Sequence, residues 1–321
     1  MRAKLGGLAV AAVVLIVLPF ALSGSHTVEL ATVGAYFIAI VGLDVLIRHT
    51  GQVSLGHGAF MAIGGYTTAI LMASHGVRDL WTIPAAGAAA GVVGVLAGIP
   101  ALRLSGLSFA LASFGIAVSF PAIPKKLDHF AGGSTGIALL GRPEQTGHGL
   151  GVWRMTNAEW VYALTWTVAI ACLLVAWALL ASRFGRSLRA VRDNELVAVT
   201  SGINRPAHKL AAFGISAAFA GVAGSLLAIN VGHVSPGAIP IQLSLYLLAG
   251  AAVGFLGSIW GAVLGALVVQ FLPSIAGVIP HVDTKRGGPT TFFLGAVLVV
   301  LMLLVPATMR AARMLARRGS P

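Results

Sequence analysis

Apolar residues run along this chain in long blocks, not in the one-sided stripe of a soluble helix. A helix needs about 20 predominantly apolar residues to cross a hydrocarbon core. Ten blocks approach that length: residues 6–23, 28–47, 53–74, 82–102, 105–123, 159–181, 210–230, 242–257, 259–279 and 291–307. The pattern predicts an all-α fold, a polytopic transmembrane helical bundle of about ten spans forming one domain over 1–321. The first block follows Arg2 and Lys4 and ends in Ala21-Leu22-Ser23. It is longer than the roughly 7–15 residues of a signal segment's apolar core, so an uncleaved anchor is expected. The block at 242–257 is short, as a tilted, broken or half-span helix would be.

Two polar interruptions are longer than the rest, at 124–158 and 182–209. Lysine and arginine favour cytoplasmic loops, which gives an orientation test. With the N-terminus inside, the inner side holds Arg2, Lys4, Arg48, Arg103, Arg183, Arg186, Arg189, Arg192, Arg205, Lys209, Arg310, Arg313, Arg317 and Arg318. The outer side holds Arg78, Lys125, Lys126, Arg142, Arg154, Lys285 and Arg286. The excess predicts both termini cytoplasmic, 124–158 as an external loop and 182–209 as a cytoplasmic one.

Composition agrees. The chain is 57% hydrophobic and 9% charged, against about 25% charged in a soluble domain. The net charge of +12 is accounted for by basic inner loops, so no nucleic-acid partner is expected. The basic tail from Arg310 reads as an anchor beside anionic membrane lipid. Cys172 is the one cysteine and lies within an apolar block, which excludes an intrachain disulfide. No His, Cys, Asp and Glu set has metal-ligand spacing, and no nucleophile sits in a catalytic motif. No Gly-x-x-x-x-Gly-Lys-Ser/Thr phosphate loop occurs, so the chain is expected neither to hydrolyse ATP nor to carry a cofactor.

Ionisable residues inside spans are functional candidates, and here they are few: Glu29 and Asp44 towards the ends of the second block, and His57 near the start of the third. Lysine and arginine are absent from block centres, which argues against a proton- or sodium-coupled carrier with a central charged relay. Glycine is frequent, at 41 residues. In lipid, small residues let helix backbones approach closely. The spacing of Gly250 and Gly254, of Gly257, Gly261 and Gly265, and of Gly87, Gly91, Gly94 and Gly98 predicts packing faces.

The third block opens on Gly51-Gln52-Val53-Ser54-Leu55-Gly56-His57-Gly58. Backbone groups in so irregular a stretch need partners within the membrane, so it must face protein or a water-filled cavity. Transporters often bind substrate at broken helices, which makes Gln52, Ser54, Gly56, His57 and Gly58 candidates for a substrate path. Helix packing is the other reading of the same residues.

In 182–209, Gly185 is expected to break the preceding span. Ser187–Asp193 then forms a short helix with Arg186, Arg189 and Arg192 along one side. Asp193 or Asn194 caps a second short helix, Gly202 ends it, and Pro206 suits the first turn of the next span. Leu188, Val191, Leu196 and Val199 supply apolar contacts, and Glu195 an acidic one. Such a pair suits docking in a groove of a cytoplasmic partner; lying on the lipid surface is the alternative.

These segments together resemble the LivM-type permeases of branched-chain amino acid ABC importers. Gly51–Phe60 with Gly64-Gly65-Tyr66 is similar to that family's first polar span, and Leu102–Ala112 to its next signature. Gly132-Gly133-Ser134-Thr135-Gly136-Ile137 resembles its external Thr-Gly-Gly-x-x-Gly loop, with Ala131 in place of the threonine. Gly185–Gly224 resembles the coupling loop and the span after it. Gly254–Gly261 resembles a late Gly-Gly-x-Gly-Ser-x-x-Gly motif, with Phe255 in place of a second glycine. The resemblance implies a multi-pass permease in a bacterial inner membrane, paired with a second related permease. It also implies two ATPase subunits that bind ATP and magnesium and dock on the coupling loops, and an external solute-binding protein. Permeases for urea or other amides share these motifs, and a stand-alone carrier or channel is the rival from a different class.

Overall fold

The computed structural model describes residues 24–101, 104, 107–139, 149–150, 153–154, 156–237, 241–254 and 259–278. The expected blocks at 6–23 and 291–307, Gly257 and the basic tail lie outside these residues. The elements in chain order are α1 (Gly24–Thr50), α2 (His57–His75), α3 (Asp79–Ala101), α4 (Leu107–Ser119), α5 (Ala122–Lys126), α6 (Asp128–Ala131), β1 (Ile137–Ala138), β2 (Gly149–Leu150), β3 (Trp153–Arg154) and α7 (Asn157–Ala181). There follow α8 (Arg183–Asp193), α9 (Glu195–Thr200), α10 (Arg205–Val231), β4 (His233–Val234), α11 (Ile241–Gly254) and α12 (Ile259–Val278).

Each of the eight apolar blocks within the described residues contains a helix. Among the described residues five helical segments are long and apolar enough to cross a membrane: Gly24–Thr50, Asp79–Pro100, Ser108–Lys126, Asn157–Ala181 and Arg205–Val231. The 14 residues of α11 reach about 21 Å, short of a hydrocarbon core of about 30 Å. The all-α expectation gains two small additions, the antiparallel pairs β1–β4 and β2–β3.

The bundle is built around α1 and α10, of whose apolar windows 72% and 83% are buried, against 28% for α7. Small residues bring the helices together. A Cβ on Gly64 would lie 2.0 Å from the Gly221 carbonyl oxygen, and one on Gly224 would lie 1.8 Å from that of Met61, so α2 meets α10 backbone to backbone. Gly87, Gly91, Gly94 and Gly98 face Val222, Ala218, Ala217 and Leu210 of α10, the packing role that their spacing predicts. Gly250 and Gly265 join α11 to α12 in the same way. Large apolar side chains such as Ile38, Leu43, Phe60 and Phe213 fill the interior, while Val92, Leu96 and Ile99 on α3, and Leu174, Val175 and Trp177 on α7, are all more than half exposed. Large apolar side chains exposed on the outer helix faces, with small residues where backbones cross, suit a lipid surround.

Contacts between element ends follow the alternation of crossing helices. At one end Asn230 donates to Thr32 Oγ1 (2.8 Å), Trp160 Nε1 donates to Asp79 Oδ2 (2.9 Å), and Ile137 pairs with Val234. At the other, Arg192 Nη1 donates to the Arg48 carbonyl (2.6 Å).

Candidate functional site

The chain leaves helical geometry between Thr50 and His57, and α2 begins without a side-chain cap at Gly56. Gly51 takes a positive φ of 72°, which suits glycine. The backbone donors that a helix would satisfy are met by hydroxyls. Leu55 N donates to Ser113 Oγ of α4 (2.9 Å), Gly56 N to Ser54 Oγ (3.2 Å) and Gly58 N to Ser244 Oγ of α11 (2.9 Å). A Cβ on Gly58 would sit 2.6 Å from that Ser244 oxygen and displace the hydroxyl, and one on Gly56 would sit 2.9 Å from the Ser113 carbonyl, against backbone.

His57 is fully buried and lies 2.8 Å, through Nε2, from Ser216 Oγ of α10, which in turn donates to the Gly42 carbonyl of α1 (2.6 Å). A hydroxyl has one proton, so Ser216 accepts from His57 and Nε2 carries the hydrogen. Nδ1 is then a bare acceptor, with no partner among the described residues. Gln52, Ser54, Gly56, His57 and Gly58 thus face protein, gathered where α1, α4, α10 and α11 converge. The sequence reading missed the three clasping serines, Ser113, Ser216 and Ser244. Their signal is weak, since each shares its apolar block with at least one other hydroxyl: Ser108, Ser225 and Tyr246 among them.

The second candidate region holds two helices, as expected, with shifted details. The break after α7 falls at Ser182, whose backbone is extended (φ −73°, ψ 179°), not at Gly185. Gly185 lies inside α8, where a Cβ would meet the Leu180 carbonyl at 2.3 Å. The first helix starts at Arg183, a turn earlier than the Ser187 expected. Asn194 caps α9 through Leu196 N and Val197 N (3.1 and 3.2 Å), and Gly202 follows its end at φ 82°.

The residues expected to dock divide into two groups. Leu188 and Val191 are buried within this chain. Arg186 and Arg189 donate to the carbonyls of Ala181 and Leu180 at the end of α7 (3.3 and 3.4 Å). With Arg192 on Arg48, all three arginines serve helix C-termini, where carbonyls lack intrahelical partners. Glu195 bonds to Arg205 and Lys209 of α10, which hold its carboxyl below the usual range, Lys209 first. That leaves Leu196 and Val199, 80% and 53% exposed, and Val197, which the sequence reading passed over, at 58%.

The family described as branched-chain amino acid transport system / permease component matches residues 28–306. The chain belongs to this permease family. It is 32% identical over 271 residues to the high-affinity branched-chain amino acid transport system permease protein LivM of Escherichia coli, covering 78% of this chain and 63% of the relative. The LivM protein of Salmonella typhimurium is also 32% identical, over 80% of this chain and 65% of its own length. The chain therefore spans just under two thirds of these relatives. LivH of Escherichia coli is 25% identical over 84% of this chain and 89% of its own. No solved structure matches the chain significantly.

The permease's glycine loop has a direct structural reason. Gly132, Gly133 and Gly136 all take positive φ (68°, 58° and 78°). A Cβ on Gly133 would strike Asp128 Oδ1 and one on Gly136 would strike the Val234 carbonyl, where β1 meets β4. The replacement of threonine by Ala131 leaves a small residue, 5% exposed, at the turn's entry. Of the late motif, Gly261 is buried and Gly254 closes α11, while 255–258 lie outside the described residues.

Proposed function

We propose that this chain is a multi-pass permease subunit of an inner-membrane importer, carrying branched-chain amino acids with energy from ATP hydrolysed by partner ATPases. The family match over 28–306 carries this reading. It has about ten spans with both termini cytoplasmic, 124–158 outside and 182–209 inside. The meeting of Arg48 with Arg192, and of Ile137 with Val234, supports that alternation. A second related permease completes the passage, an external solute-binding protein delivers the substrate, and ATP and magnesium reside in two ATPase subunits. The exposed tip Leu196, Val197 and Val199 is the docking surface for an ATPase groove. An exposed apolar cluster on a short helix, next to a helix whose arginines bond to the ends of α7 and α1, supports docking over a flat lipid contact.

Substrate passes beside the 52–58 segment. A weakly polar route fits aliphatic side chains, and movement between outward- and inward-facing states is a population shift driven by the nucleotide. The test is reconstitution of the whole complex in proteoliposomes. ATP-dependent uptake of labelled leucine is expected. Uptake by this chain alone would replace the reading with a secondary carrier or channel, and preference for urea over leucine would move the substrate to the amides.

A further inference from the structure

The helix pair is tied to the bundle by contacts of two kinds. Helix α8 is fixed: Leu188 and Val191 are buried, and Arg192 holds the end of α1. Helix α9 is not fixed in this way. Extended Asn194 (φ −155°, ψ 106°) and positive-φ Gly202 flank it, Ala198 is its one buried residue, and Leu196, Val197 and Val199 are exposed. Its strongest polar tie to the rest of the chain is the Glu195 carboxylate, which bonds Arg205 and Lys209 with separate oxygens.

Lys209 is unlike an ordinary surface partner. Its side chain is only 10% exposed, and it lies on α10 seven residues before Ser216, two turns along one face. Ser216 is the residue that binds His57 and Gly42. Half-exposed ion pairs contribute little to stability, so the value of the Glu195 link is geometric.

We propose that Glu195 is the positioning residue that transmits displacement of the α9 tip into α10, along Glu195, Lys209, Ser216 and His57, to the irregular segment at 51–58. The proposal rests on the reading of α9 as the ATPase-docking helix. A push on Leu196 and Val197 turns α9 about Asn194 and Gly202. The carboxylate, held by two cations on one helix, carries that motion to α10 as an axial shift. Without it the tip still docks, but it moves independently of the bundle.

The test uses the complete importer in proteoliposomes, with leucine uptake and ATP hydrolysis measured together. Glu195→Ala is expected to keep the ATPase subunits co-purifying while leucine imported per ATP falls about tenfold. Lys209→Met lowers the ratio as well, and the double variant falls no further than Glu195→Ala, since both act on one link. Lys209→Arg keeps the ratio. An unchanged ratio in Glu195→Ala overturns the proposal, as does loss of the ATPase subunits from that variant, which would make Glu195 part of the docking face. Absence of ATP-dependent uptake in the unsubstituted complex is a separate result and counts against the underlying function.

Discussion

Ser216 accepts a hydrogen bond from His57 Nε2 at 2.8 Å while donating its own proton to the Gly42 carbonyl at 2.6 Å. One hydroxyl thus joins α10, the first turn of α2 and the middle of α1, all out of contact with solvent. Removing it strands the buried His57 Nε2–H, while the Gly42 carbonyl keeps its place in the helix. Ser216→Ala is expected to destabilise the protein by about 1–3 kcal/mol, the cost of leaving a buried donor unpaired. Thermal unfolding in detergent measures this. A melting temperature equal to that of the parent would mean that the bond contributes nothing.

Glycine positions give a sharper contrast. Gly64 and Gly224 sit against backbone carbonyls at distances no Cβ can share, whereas a Cβ on Gly115 of α4 meets nothing within 4 Å. Gly64→Ala or Gly224→Ala must push α2 off α10, with an overpacking cost of about 1–3 kcal/mol and loss of monodisperse protein. Gly115→Ala is expected to be neutral, or to stabilise by up to about 1 kcal/mol through helix propensity. Size-exclusion profiles of the three variants decide it.

The apolar blocks predicted the helices because the membrane period of about 20 residues is a coarse, redundant signal. Packing faces such as Gly87–Gly98 were legible for a similar reason, since close helix approach tolerates little besides small residues. The end of α7 differs from the expected Gly185 because glycine ordinarily breaks a helix. At Gly185 its missing Cβ serves close packing inside a helix, and an extended serine makes the break. The site was legible only from one side. Residues 51–58 announce an irregular segment, but Ser113, Ser216 and Ser244 lie 58 to 186 residues away from the groups they bind. Nothing local in the sequence sets that register. In the same way, the amphipathic loop could not reveal which of its apolar residues turn inward.

That division yields a paired prediction for the loop. Leu196 is 80% exposed and Leu188 fully buried. Leu196→Glu is expected to leave the melting temperature within about 0.5 kcal/mol equivalent of the parent, as surface changes do. It should also cut ATP-dependent uptake at least tenfold by weakening ATPase co-purification. Leu188→Glu buries an unpaired charge and is expected to prevent folding. Normal uptake by Leu196→Glu in an intact complex would remove α9 from the docking role.

The Glu195 link also makes a pH prediction with a definite sign. Lys209 and Arg205 lower the Glu195 pKa, Lys209 contributing most and burial opposing them. A carboxyl with a depressed folded-state pKa contributes stability that is present in full above its unfolded value. That contribution is lost as pH falls through the lower, folded value. Unfolded glutamate titrates near about 4.3, so attachment of α9 to α10 is expected to be constant from pH 8 to pH 5 and to weaken only in more acidic solution. Hydrogen exchange of the α9 amides, corrected for the intrinsic pH dependence of exchange, follows this directly. Protection should be flat across the neutral range in the parent, and lower and insensitive to acid in Glu195→Ala. Protection that instead declined between pH 8 and pH 6 would show that the Glu195 carboxylate is not what holds α9.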